Sequence, residues 1–182
     1  MRNFFSSRRG SVLLEAAIAM PILVLVLLSL AEFGEAFTIK RRNAQVASTA
    51  ADLVAQVSCV SSSQTGTASS LQDIANIAAT ILAPYSYSAS IAGLSITSVM
   101  QNASNATVQW SWATGTLTAG TAGNSYSLPS GLVSQNQTVI VAQASYTFTP
   151  PVGSYLTGGV TFQAQAFNKP RIGTSVALQT SC

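Results

Sequence analysis

The hydrophobic positions of this chain have helical spacing before Pro84 and alternate with polar positions after it. The longest apolar run, 12–31, has about twenty residues, enough to cross a bilayer as one helix. The following residues, up to 57, contain no proline and keep one apolar helical face. That face consists of Ile39, Val46, Ala50, Leu53 and Val57. The pattern predicts one long helix over 12–57, whose first half is apolar and long enough to lie in a membrane.

A second, shorter helix is predicted after a loop rich in Ser, Thr and Gly over 58–70. Ser70 is a suitable N-cap residue, and Asp73 stands three positions later as its capping-box partner. The apolar residues that follow define an amphipathic face, which ends at Pro84. They are Leu71, Ile74, Ala75, Ala78, Ile81 and Leu82.

Alternating apolar and polar residues after Pro84 predict four β-strands. The strand positions are 94–99, 108–112, 140–148 and 160–166. Turn-forming residues at 102–105 favour a hairpin between the first two strands, and 114–131 is predicted to be a long loop. The predicted fold class is α+β: a long N-terminal helix, a short second helix and an antiparallel β-sheet packed on them. The order of the strands stays open.

The distribution of charge changes the expected function more than the net charge of +3 does. Charged residues form 7 % of the chain, and all except Asp73, Lys169 and Arg171 precede residue 53. The basic residues near the apolar run flank it on both sides, which does not indicate nucleic-acid binding. The sequence has no histidine and no visible pair of acids or ligand cluster. We therefore predict a non-enzymatic protein with no catalytic residues, no cofactor and no metal site.

One carboxylate, Glu15, lies inside the apolar run, where a charge costs about 2.5–3.5 kcal/mol at the bilayer centre and less near its edge. Arg8, Arg9 and Gly10 precede it, and the glutamate follows the glycine by five positions. Glu15 is either a functional group or an incidental interfacial residue. The intramembrane position favours a function.

This N-terminal pattern resembles the prepilin signal of type IV pilins and pseudopilins. The resemblance implies that a prepilin peptidase cuts between Gly10 and Ser11, so that residues 1–10 are a leader. It also implies that Glu15 pairs with the new Ser11 ammonium of an adjacent subunit. Such pairing makes physical sense, because a buried charge is tolerable when paired and very costly alone.

Further residues resemble the TadE-like pseudopilins of tight-adherence (Flp) pilus systems. Pro21 lies within the run, and Glu32-Phe33-Gly34 follows it. Ala16 stands where pilins of these systems often carry an aromatic residue, a departure that weakens the match to the major pilin most. Two C-terminal segments also resemble the end of the TadE-like domain. They are Tyr146–Pro150 and Asn168–Arg171.

The TadE-like resemblance implies a minor pilin or pseudopilin that serves assembly or initiation of a tight-adherence type IV pilus. The implied partners are the prepilin peptidase, other pilin subunits, the inner-membrane assembly platform and membrane lipid. Glu32, Phe33 and Gly34 are candidate contacts at the helix exit. Solvation is the simpler and favoured interpretation for Glu32 and for Glu35.

Basic residues alone do not decide the orientation, because three precede the run and three follow it, namely Arg2, Arg8, Arg9, Lys40, Arg41 and Arg42. The resemblance places the N-terminus in the cytoplasm of a bacterium and the rest outside the inner membrane. The expected organisation is a leader over 1–10, a helix over 11–57 and an extracytoplasmic α+β domain over 58–182. The cluster 40–42 either binds lipid headgroups or a neighbouring subunit, or is a plain interfacial charge cluster.

Two cysteines, Cys59 and Cys182, are too few for an ordinary zinc site in a chain without histidine. In an exported chain a disulfide is their expected use, with two free thiols as the alternative.

Aromatic residues at alternating strand positions are either core residues or a ligand platform. They are Trp110, Trp112, Tyr146 and Phe148. Aromatic side chains at period two on strands favour the core interpretation.

A second function remains open. Ser29-Leu30-Ala31 is an acceptable cleavage site for a conventional signal peptide, which would release a secreted surface adhesive domain. Glu15 inside the apolar region and a leader of 31 residues count against it.

Overall fold

The computed structural model describes residues 8–103, 105–151, 153–154 and 158–182. Helix α1 covers Arg8–Ala55 and passes through Pro21 without ending. Its 48 residues correspond to a length of about 72 Å at the standard rise. The long helix predicted over 12–57 is confirmed. It ends two residues earlier because the amides of Gln56 and Val57 donate to carbonyls three residues back, which tightens the last turn.

The remaining elements follow in chain order: β1 (Cys59–Ser61), α2 (Leu71–Leu82), β2 (Ala92–Gln101), β3 (Ala106–Gly115), β4 (Ser125–Tyr126), β5 (Thr138–Phe148), β6 (Val160–Asn168) and β7 (Ala177–Gln179). Among the described residues, five strands form an antiparallel sheet in the order β4-β3-β2-β5-β6. β1 and β7 pair in parallel as a separate two-stranded sheet. The α+β fold class predicted from the sequence is confirmed.

The four predicted strands correspond to β2, β3, β5 and β6, and the predicted hairpin joins β2 to β3. Three short strands were not expected. The predicted loop 58–70 begins with β1, the predicted loop 114–131 contains β4, and β7 lies near the end of the chain. Strands of two or three residues are too short to display an alternating pattern, so the periodicity could not indicate them.

Helix α2 begins as predicted, with the Ser70 hydroxyl accepting a hydrogen bond from the Asp73 amide at 3.1 Å. The reciprocal half of the capping box is wrong. The Asp73 carboxylate accepts from the Gly66 amide instead. The Ser70 amide donates to the Thr67 carbonyl, because the loop before α2 folds back on the cap and supplies closer partners.

The main core lies between one face of the sheet and the second half of α1. Ile39, Val46 and Val54 of α1 are fully or almost fully buried there, together with Leu94 and Ala144 of the sheet. The core interpretation of the aromatic residues is confirmed. Trp110 and Tyr146 are buried in this cluster, and Trp112 and Phe148 pack against it half-buried.

The opposite face of the sheet is covered in part by the segment after β4. Val99, Val139 and Val141 form a second buried cluster beneath Leu128 and Leu132. β5 therefore buries residues on both faces, whereas the sequence indicated one apolar face. One face of the sheet is therefore covered by α1, and the other is only partly covered by the segment after β4.

Candidate functional site in the N-terminal helix

The first half of α1 presents apolar side chains outward on all sides. From Val12 to Leu30 the large apolar residues are between 40 % and 72 % exposed. The most apolar 18-residue window has a mean hydropathy of 2.5, and none of that window is buried. The Ser29 hydroxyl donates to the Leu25 carbonyl at 2.8 Å, so it needs no water. By length and composition this helix can cross a membrane, which is compatible with membrane anchoring.

The residues expected to take part in processing and assembly lie near the start of this helix. Gly10 and Ser11 belong to the helical backbone of α1, and the side chains of residues 8–11 lie outside the described part, as do residues 1–7 of the expected leader. Glu15 is exposed, and in the described part of the chain it forms no ion pair. A spacing of four residues places Glu15 on the same side of the helix as Ser11.

Glu32 lies about 26 Å along α1 from Glu15 at the standard rise, where the helix begins to contact later parts of the chain. Its carboxylate accepts from the Gly153 amide, with N–O distances of 3.0 and 3.2 Å. A Cβ at Gly153 would lie 2.9 Å from the Glu32 carboxylate, so a larger residue there would displace the end of the glutamate side chain. The expectation that Glu32 is simply solvated is therefore wrong. Glu35, one turn later, is exposed as expected.

The two other candidate residues of the helix exit remain open to contact. The rings of Phe33 and Phe37 meet edge to face, with centroids 4.8 Å apart, and are 62 % and 51 % exposed. A Cβ at Gly34 would have no neighbour within 4 Å. Phe162 of β6 joins the two phenylalanines around a shallow apolar hollow. Apolar side chains at the helix exit thus lie next to β6, an edge strand of the sheet among the described residues.

The basic cluster that follows divides into two parts. Lys40 and Arg41 are exposed. The Arg42 guanidinium instead donates to the Ile81 carbonyl at 3.0 Å and to the Ala83 carbonyl. It also lies 5.8 Å from the centre of the Tyr85 ring. A cation at the C-terminus of α2 satisfies carbonyls that the helix leaves free and favours the helix dipole. Arg42 therefore fastens α2 to α1.

Asn43 was not singled out in the sequence, although it joins α1 to the sheet. Its side chain is 1 % exposed, and its amide nitrogen donates to the Ala144 carbonyl at 3.1 Å and the Phe162 carbonyl at 3.0 Å. These carbonyls belong to β5 and β6. The signal was available, because Asn43 lies on the apolar face of the helix between Ile39 and Val46.

The end of α1 is tied to the C-terminal part of the chain. Asp52 and Arg171 form an ion pair, and the Arg171 amide donates to the Ala55 carbonyl at 2.7 Å. Cys59 and Cys182, whose Cα atoms lie 6.1 Å apart, form a disulfide. The expected pairing of the cysteines is thus present, at the side of the short parallel sheet.

Burial also affects the phenols beside the core. Burial raises the pKa of Tyr146 above its ordinary value, and nearby Tyr85 adds to the rise. Its hydroxyl donates to the Ser86 carbonyl at 3.1 Å and fixes the segment between α2 and β2. Burial raises the pKa of Tyr87 as well. These groups remain neutral at physiological pH.

No curated protein and no solved structure matches the chain. One family model does match, described as TadE-like protein, over residues 10–52. The matched segment begins at Gly10, contains Glu15, Pro21 and the Glu32-Phe33-Gly34 exit, and ends at Asp52. The resemblance of 146–171 lies outside it and stays a prediction. The match confirms the predicted TadE-like resemblance over the N-terminal segment, about a quarter of the chain.

Proposed function

We propose that this protein is a minor pilin or pseudopilin, a structural subunit for assembly or initiation of a tight-adherence type IV pilus. The proposal rests on two properties of the N-terminal segment. Residues 10–52 match the TadE-like family, and α1 exposes an apolar surface interrupted by one carboxylate, Glu15. A soluble monomer has no use for such a surface, whereas a membrane or a bundle of neighbouring helices covers it.

Processing by a prepilin peptidase is the first step of the proposed function. Cleavage between Gly10 and Ser11 creates an ammonium on Ser11, four positions before Glu15. In one helix the two groups lie on the same side. In a bundle the carboxylate of one subunit compensates the ammonium of the next, because an unpaired charge in a water-poor bundle is strongly destabilising.

The proposed location is the bacterial inner membrane, crossed once, with the N-terminus in the cytoplasm and residues 58–182 outside. Two observations support it. Cys59 and Cys182 form a disulfide, a bond that persists in oxidising compartments. After Asp52 the sequence contains only three charged residues, Asp73, Lys169 and Arg171, so the surface of residues 58–182 is mainly neutral and polar.

A minor role follows from size. Major pilins of the family are very short, whereas the elements from β1 to β7 here form a large body that shares its main core with the second half of α1. The proposed partners are the prepilin peptidase, other pilin subunits, the inner-membrane assembly platform and membrane lipid. No step of this function needs enzymatic activity of the chain itself.

The proposal is tested by Glu15→Val. An apolar residue eases insertion, so the variant should enter the membrane and lose its leader like the parent. It should fail to crosslink to neighbouring pilin subunits and to support surface pili, because the Ser11 ammonium loses its carboxylate. Glu35→Val, on the exposed exit of the same helix, is the matched control and should assemble normally. Normal crosslinks and pili with Glu15→Val would refute the role of Glu15.

A further inference from the structure

The sheet face turned away from α1 carries a cluster of glutamine side chains. Ala142, Ala144 and Ala164 pack towards the α1 core. The intervening residues therefore point to the opposite face. In the register of β5 and β6, Gln143 pairs with Gln165 and Ser145 pairs with Gln163. The three glutamines thus form one patch across two adjacent strands.

This patch is the floor of a groove, the amide groove, defined by Gln143, Gln163, Gln165 and Leu117. Leu117, from the segment after β3, forms an apolar wall. The Tyr126 hydroxyl lies at one side and accepts from the Gln143 amide at 3.1 Å and the Gln165 amide at 2.8 Å. These two bonds orient the amides and leave their carbonyl oxygens as acceptors for a ligand.

The chemistry of the amide groove selects for neutral hydroxyl groups. Each glutamine amide offers both donors and an acceptor, which matches a hydroxyl that both donates and accepts. Burial raises the pKa of Tyr126, although its bond with Gln165 lowers it in part, so the phenol stays protonated and has a proton to donate. The residues that define the groove carry no charge, so an anionic or cationic ligand would find no counter-charge there.

We propose that the amide groove binds a neutral polysaccharide through the side chains of Gln143, Gln163 and Gln165. A sugar ring has hydroxyl groups for the amides and an apolar C–H face for Leu117. An extended peptide is a poorer fit, because strands bind peptides through the free backbone of a sheet edge, and this groove lies on a sheet face.

The position of the groove keeps it available when the helix is covered. α1 packs on the other face of the sheet. A membrane or neighbouring helices around α1 therefore leave the amide groove open to the outside. This inference is independent of the proposed pilus function, since a subunit that fails to assemble can still bind the polysaccharide.

The test uses the full chain in a detergent that has no sugar headgroup. Binding to immobilised dextran, mannan and galactan is measured, with an uncharged Gly-Ser peptide as comparison. The proposal expects binding of at least one polysaccharide and none of the peptide. Replacing Gln143 and Gln165 by alanine together removes two neutral hydrogen-bonding groups and should raise Kd about tenfold.

Two further variants keep the test independent of folding. Gln165→Ala alone changes an exposed residue and should weaken binding several-fold with an unchanged Tm. Gln109→Ala, at an exposed position of β3 outside the groove, is the matched control and should bind like the parent. The proposal is overturned if none of the three polysaccharides binds or if only the peptide binds. It is also overturned if Gln165→Ala binds like the parent or no more weakly than Gln109→Ala.

Discussion

Individual polar side chains determine how the long helix is joined to the rest of the chain. Glu32, Arg42 and Asn43 each hydrogen-bond to backbone groups of a distant part of the chain. These hydrogen bonds tie α1 to α2, to strands β5 and β6, and to the segment after β5. The packing of α1 against the rest of the chain therefore depends on these polar residues as well as on the buried apolar residues.

Arg42→Ala should loosen α2 from α1. The variant loses charge-assisted hydrogen bonds to the Ile81 and Ala83 carbonyls, for which we expect a loss of about 1.5–3 kcal/mol in the free energy of unfolding. Arg41→Ala removes the same charge from an exposed neighbour and should change stability by less than about 0.5 kcal/mol. Urea denaturation of both variants measures the difference. Equal stability of the two would contradict the role of Arg42.

The residue-scale contacts show where prediction from sequence stops. The spacing of Gly10 and Glu15 is local, so it is readable in the sequence and led to the TadE-like resemblance. The partner of Glu32 comes from 121 positions further along, and no local pattern indicates such a pair. A glutamate at a helix exit is usually solvated, and this expectation failed for that reason.

At the scale of elements, the spacing of apolar residues predicted the helices and strands that bury one continuous face. α1, α2 and the four long strands show a helical or alternating pattern because one side of each faces a core. β1, β4 and β7 exist because a longer neighbour or a crosslink holds them in place. β4 pairs with two residues of β3, and β1 pairs with β7 beside the disulfide. Such elements depend on tertiary structure, so the sequence pattern could not indicate them.

Cys182→Ser should destabilise the body without affecting the N-terminal helix. The disulfide closes a loop with a sequence separation of 123 residues, for which the chain-entropy model gives about 4–5 kcal/mol. Urea denaturation under oxidising conditions should show that loss, while membrane insertion stays normal.

The control for the cysteines is a double-mutant cycle. Cys59→Ser should cost the same as Cys182→Ser, and the double variant should cost no more than either, since one crosslink is removed in all three. Freely alkylated thiols in the native protein, seen by mass spectrometry without reduction, would contradict the crosslink.

At the scale of the whole molecule, the chain separates two kinds of surface. The first half of α1 is apolar on all sides, and the body that follows exposes mainly uncharged polar residues. The second half of α1 packs on one face of the sheet, and the amide groove lies on the other face. This arrangement suits a subunit that is buried through its helix and presents its body outward.

The candidate assembly site needs residues from two subunits, so a single chain contains only half of it. Glu15 was found from the sequence because a lone carboxylate in an apolar run is conspicuous. Its proposed partner is the Ser11 ammonium of another subunit, which exists only after cleavage. The position of the subunit in a filament depends on surfaces of other proteins, so neither the periodicity of this chain nor its fold specifies it.

The N-terminus of the mature protein tests the central claim most directly. N-terminal sequencing and intact mass of protein extracted from membranes should show a start at Ser11, because the peptidase of the family cuts after the glycine of this signal. Gly10→Ala should be cleaved poorly, and a bulkier residue at the same position should leave the leader attached. A mature protein that begins at Glu32 would instead show conventional secretion, with removal of the apolar half of α1, and would contradict the assignment as a pilus subunit.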